Sequence, residues 1–152
     1  VFYLMADVGS VGGGWLSGFL MRRGWPNYKA RKAAMGICAG LMPVAALSVL
    51  TPNSALAIAL ISIATASHQG WSANLFTTTS DVFPRQAVAS VTGIGGWAGG
   101  VGSVLFSALL PGYVVAHFGY TPVFLGMGLF HLTAFVIVHK LMGRMQPVEA
   151  AG

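Results

Sequence analysis

Acid is nearly missing from this chain. Among its 152 residues the carboxylate side chains are Asp7, Asp81 and Glu149, and charged residues of both signs make up 7%, where a soluble domain holds about 25%. With 55% hydrophobic residues and a mean hydropathy of +0.74, an ordinary soluble domain is excluded. The lone cysteine, Cys38, lies within an apolar run, so no intramolecular disulfide can form. Catalytic groupings are lacking too. There is no carboxylate pair, no Ser/His/Asp or Cys/His arrangement, and no His/Cys/Asp/Glu cluster at metal-ligand spacing. Gly12-Gly13-Gly14 is not a phosphate loop, because no strand precedes it and no Lys-Ser/Thr follows. The reading is a protein that is not an enzyme and needs no cofactor or metal.

What charge there is has a pattern. Arg22, Arg23, Lys29, Arg31 and Lys32 fill the first polar gap, Arg85 the third, and Lys140 and Arg144 lie at the C-terminal end. The second and fourth gaps, Thr51 to Asn53 and Ala116 to Thr121, hold no Lys or Arg. Positively charged loops stay on the cytoplasmic side during insertion. The alternation therefore predicts a polytopic membrane protein with its N-terminal end outside and its C-terminus in the cytoplasm. The net charge of +5 and pI near 9.9 follow from that bias; the basic residues form no stripe with interleaved aromatics, so no nucleic-acid partner is expected. The bilayer is the expected partner.

A helix needs roughly 20 apolar residues to cross the hydrocarbon core. The runs predict five spans, at about 1–21, 33–50, 55–78, 88–112 and 122–142. The chain opens on Val-Phe-Tyr-Leu, already apolar, which reads as the partial C-terminal bundle of a longer protein. Pro43 falls inside the second span, where a missing N–H and a ring clash predict a kink. Glycine pairs at four-residue spacing, Gly9–Gly13, Gly14–Gly18, Gly36–Gly40 and those among Gly95 to Gly102, read as faces where helices approach closely, since lipid offers little hydrophobic drive for association.

The third span is the most polar. Ser67, Trp71, Asn74 and Thr78 share one helical stripe, flanked by His68 and Ser72, with Gln69 beside them. Such groups must face protein or a water-filled cavity. One reading is a solute path, with Trp71 stacking on a sugar-like ring and His68, Gln69 and Asn74 bonding its hydroxyls. The other is interhelical bonding that holds a bundle together. Asp7, in the outer part of the first span, is either proton-linked or an interfacial cap. His131 in the fifth span is either a packing residue or a proton relay, and Trp97 among the glycines of the fourth is either cavity wall or packing.

Gly14-Trp15-Leu16-Ser17-Gly18-Phe19-Leu20-Met21-Arg22-Arg23-Gly24, followed by Arg31-Lys32, resembles the loop motif between helices eight and nine of major facilitator transporters. Gly18 and Phe19 stand where many relatives have Asp-Arg, a departure that weighs against a charge relay there. Ala6-Asp7-Val8-Gly9-Ser10 is similar to the anion:cation symporter branch. His68-Gln69-Gly70-Trp71-Ser72-Ala73-Asn74 with Ser80-Asp81-Val82-Phe83-Pro84, and Ser90 to Gly100, resemble the bacterial hexuronate transporters. The resemblance implies an all-α integral membrane fold, the C-terminal part (helices eight to twelve) of a 12-helix bundle whose N-terminal helices would be its partners. It further implies proton-coupled uptake of galacturonate or glucuronate across a bacterial inner membrane by alternating access. Related carriers of galactonate, glucarate or other organic acids share the surrounding pattern, and a membrane subunit without transport is the alternative of another class. On the resemblance, Trp71 and Asn74, with His68, Gln69 and Trp97 near, would form the sugar site. Gly14, Arg22, Arg23 and Asp81 would form a gate in which Asp81 pairs with the basic loop.

Overall fold

The structure, a computed structural model, describes residues 1–143; Arg144 and Glu149 lie outside the described residues. Helices account for nearly all of it. Helix α1 runs Phe2–Arg22, and the chain turns at Gly24, whose φ of 86° suits a residue without Cβ. Helix α2 spans Asn27–Leu41 and continues as a 3-10 segment, Met42–Val49. The change of pitch comes at Pro43, which cannot donate back along an α-helix. Asn53 accepts from the amides of Ala55 and Leu56 and so caps α3, Ser54–Val82. Helix α4, Arg85–Ser103, starts after Pro84 and passes through a π-helical stretch, Val104–Leu109, into α5, Leu110–Phe118. The wider turn precedes Pro111, whose ring would crowd the carbonyl one α-turn back. Gly119, at φ 77°, reverses the chain into α6, Thr121–Leu141.

Each of the five apolar stretches picked out by sequence overlaps one continuous helical run, overrunning it by a single residue at Val1, Leu50 and Met142. By length and composition three are able to cross a membrane: Asn27–Val49, Arg85–Phe118 and Thr121–Leu141. Helices α1 and α3, 21 and 29 residues long, are not among them. Asp7 and the glycines of α1, and the Ser, Thr, His, Gln and Asn of α3, lower their hydropathy.

The glycine expectation divides. Helix α1 lies along α3 with Gly9 on the backbone of Ala66 and Gly13 on Gly70, where a Cβ on Gly13 would stand 2.5 Å from the Gly70 Cα. Gly36 abuts the Phe135 ring of α6, and Gly128 sits on Pro43. Around these contacts Met35, Cys38, Ala39 and Trp71 form a core, joined by Leu75, Leu132 and Phe135. By contrast Gly14, Gly40, Gly95, Gly96, Gly99, Gly100 and Gly102 have open space where a Cβ would go. No residue of α4 or α5 is buried among the described residues.

Candidate functional site

Helix α3 carries two polar systems on different sides. Toward α4 and α6 it borders a cleft; toward α1 and α2 it closes a buried hydrogen-bond network. The cleft comprises two cavities, of about 870 Å³ and about 770 Å³, which share His68, Gly99 and His131. The larger lies toward the Thr51–Asn53 turn, between the 3-10 segment, α3, the π stretch and α6, with Thr65, Ser103 and Ser107 among apolar walls. The smaller runs toward Pro84 and presents Ser72, Thr78, Thr79 and Thr92. At the waist between them His68 Nδ1 and His131 Nε2 are 3.0 Å apart. His131 also packs edge-on to Trp71, with ring centroids 6.1 Å apart, and Trp71 meets Phe135 in the same manner at 6.2 Å. Trp71 is only 5% exposed. It lines the smaller cavity and meets His131 and Phe135 in T-shaped, edge-to-face contacts, a favoured aromatic geometry.

The second system centres on Arg31. Its Nε donates to Asp81 Oδ2 at 3.0 Å, and its Nη1 donates to Ser17 Oγ at 3.1 Å and reaches Asn74 Oδ1 at 3.4 Å. The Asn74 amide donates in turn to the Gly13 and Gly70 carbonyls, both at 2.9 Å. One guanidinium thus joins α1, α2 and α3, with side-chain exposures of 11% for Arg31 and 22% for Asp81. A planar fork with donors on both edges suits this task, where a lysine would supply only a point charge. On the outer rim, Lys32 Nζ donates to the carbonyls of Gly143, at 2.6 Å, and His139, at 3.3 Å, closing the C-terminal end of α6.

The expected site residues therefore separate. His68 lines both cavities and Trp71 lines one. Asn74 lines neither: it is fully buried, and its amide hydrogens and its oxygen are engaged by protein. Gln69, half-buried, and Trp97, 73% exposed, also line neither cavity. Asp7 is exposed and has no ion-pair partner among the described residues. Asp81 does pair with the basic segment, through Arg31. Arg22 and Arg23 are exposed, and the Arg23 guanidinium stacks 4.8 Å over the Phe19 ring. Gly14 contributes the carbonyl that Ser17 Oγ donates to, at 3.0 Å. Two residues were not singled out by sequence as site residues, Arg31 and Ser17. Alanines at 30, 33 and 34 around Arg31 were the available signal, because small neighbours on both sides mark an arginine enclosed by helices.

No family model matches the chain. It is similar to the hexuronate transporter of Escherichia coli strain K12 and to that of Escherichia coli O157:H7, in each case 32% identical over 149 residues, 97% of this chain. This chain is a homologue of the hexuronate transporters. Those transporters are major facilitator proteins, and the all-helical fold of this chain is consistent with a C-terminal portion of one. The similarity takes in α1 to α6, so cleft and arginine network both lie in the shared region. The chain spans 34% of the length of these hexuronate transporters.

Proposed function

We propose that this chain is the C-terminal portion of a hexuronate carrier, working by alternating access with proton coupling in a bacterial inner membrane. In this reading all five rods cross the bilayer, and the basic segment and C-terminus are cytoplasmic. The observation that carries it is the cleft: hydroxyls, two imidazoles and the Trp71 edge border a space large enough for a sugar acid. Pockets for small polar solutes have this make-up, an apolar frame with few directed polar groups. The site at mid-helix, where His68 separates a cavity toward one end of α3 from a cavity toward the other, fits a path opened alternately from two sides. The Arg31–Asp81 pair, within the basic segment, would hold the cytoplasmic ends of α1, α2 and α3 together in one of the two states. Arg22, Arg23 and Gly14 would act as its border, Asp7 as an interfacial group, and Asn74 as a strut between helices.

The test is uptake of labelled galacturonate by cells producing the full-length protein, with unlabelled glucuronate, galactonate and glucarate as competitors. Competition by glucuronate above that by galactonate or glucarate is expected. Absence of galacturonate uptake, with the protein present in the membrane, rejects the hexuronate assignment. Ser72→Ala, in the cleft wall, lowers uptake per inserted molecule; a subunit without transport would show only a change in the amount inserted.

A further inference from the structure

We propose that His68 and His131 form a single-proton site that holds the carboxylate of the solute at the waist of the cleft. The inference rests on the carrier reading and deepens it by naming the group that takes the proton. The bonds determine the tautomers. His131 Nδ1 lies 3.3 Å from the Met127 carbonyl, which can only accept, so that nitrogen carries a hydrogen. Neutral His131 then has its lone pair on Nε2, 3.0 Å from His68 Nδ1, which must donate to it. Neutral His68 is left with a bare Nε2, without a hydrogen-bond partner among the described residues, on a side chain that lines both cavities.

That nitrogen is the one uncommitted base of the series Met127–His131–His68. A proton added there makes His68 an imidazolium and turns its bond to His131 into a charge-assisted one. The charge can also cross the bond: His131 Nε2 takes the Nδ1 hydrogen and becomes the cation, while His68 keeps the new hydrogen on Nε2. A second proton would set two N–H groups head to head across 3.0 Å. The couple is therefore built to hold one proton. Its other neighbours are neutral: among the described residues no Asp, Glu, Lys, Arg, Tyr or Cys from the 3-10 segment, α3, α4, the π stretch or α6 lines either cavity. Cys38 lies in the core with Trp71, and His139 packs on Phe135; neither lines a cavity. A solute carboxylate is thus the anion available to the imidazolium, and each must raise the affinity for the other by the same factor. His131 acts here as a positioning residue, through His68.

The full-length protein in lipid nanodiscs provides the test, with galacturonate binding followed by calorimetry between about pH 5 and pH 8, the range in which imidazoles titrate. Affinity falls by up to about tenfold per pH unit once the couple loses its proton. His68→Gln keeps a hydrogen-bonding group toward His131 but cannot take the proton; it flattens the profile and binds at least about tenfold more weakly at the acid end. His131→Gln displaces the profile without flattening it. A His68→Gln variant that keeps the wild-type pH slope overturns the proposal. A second arm needs neither variant nor solute: ¹⁵N-histidine NMR should find the hydrogen of His68 on Nδ1 at high pH and one proton taken up by the pair. Finding that hydrogen on Nε2, or two independent protonations, also overturns it. If galacturonate fails to bind at any pH while the NMR result holds, the hexuronate reading falls and the proton site stands.

Discussion

The two flanks of α3 show how one helix can be both strut and wall. Toward α1 and α2 everything is closed: glycine meets glycine backbone, and Ser17, Arg31 and Asn74 are buried in a network. Toward α4 and α6 the glycines of α4 meet nothing within 4 Å and the cleft remains. Polar groups stand on both flanks, so polarity alone does not mark a solute path. The state of their bonds does. Asn74 has its amide hydrogens and oxygen bonded to protein, whereas His68, which lines both cavities, has one ring nitrogen engaged and no partner among the described residues for the other. A saturated group holds helices together, and an unsaturated one at a cavity wall is available to a ligand.

If the closed flank depends on Arg31, its removal produces the largest loss. Arg31→Ala leaves Asp81, Ser17 and Asn74 short of a donor in a low-dielectric site. It should lower the unfolding free energy of the full-length protein by about 2–4 kcal/mol, below the full range for a buried pair because Asp81 retains partial exposure. Arg31→Lys recovers little, since one ammonium cannot reach all three partners. Arg23→Ala, on the exposed side of the same segment, changes stability by no more than about 0.5 kcal/mol. Chemical denaturation in detergent compares the three. Equal effects for Arg31→Ala and Arg23→Ala would mean that charge count matters and the network does not.

Gly13 and Gly14 put the same comparison on adjacent residues. A Cβ on Gly13 would stand 2.5 Å from the Gly70 Cα and 2.7 Å from its carbonyl oxygen, and backbone cannot swing aside. Gly13→Ala therefore separates α1 from α3, at about 1–3 kcal/mol of overpacking, and strains the Asn74 bond to the Gly13 carbonyl. Gly14→Ala meets open space and gains up to about 1 kcal/mol of helix propensity. Opposite shifts in melting temperature are expected, and two equal losses would show that the α1–α3 contact is misjudged.

The rods were legible because their signals are strong and local: apolar runs, basic clusters at their ends, and Pro and Gly at the turns. Pro43 predicts a kink, and what the structure shows there is a change from α to 3-10 form; the π stretch before Pro111 went unread, since a span can absorb a wider turn without altering its hydropathy. The candidate site was legible by helix but not by face. Trp71 and Asn74 share a stripe in sequence, yet Trp71 reaches the cleft and Asn74 turns to Gly13. Which neighbour each meets depends on how α1 and α6 dock, and no pattern within α3 encodes that. The pairing of His68 with His131, 63 residues apart, is legible only after α3 and α6 are placed side by side.

Lys32 gives the smallest expected effect and separates charge held inside the bundle from charge at its rim. Its ammonium sits where the last carbonyls of α6 leave a partial negative charge. It is half-buried and its bonds lie on the exposed rim, so Lys32→Ala should cost only about 0.3–1 kcal/mol, and Lys32→Arg should restore most of it. Salt distinguishes the two sites more sharply than size does. Raising ionic strength to about 1 M shrinks the screening length to about 3 Å, which removes most of what Lys32 contributes in the wild type. The gap between wild type and Lys32→Ala then closes, while the gap for Arg31→Ala persists because its partners are shielded from solvent by three helices. Persistence of both gaps in high salt would place Lys32 in the same enclosed environment as Arg31 and erase the distinction between flank and rim.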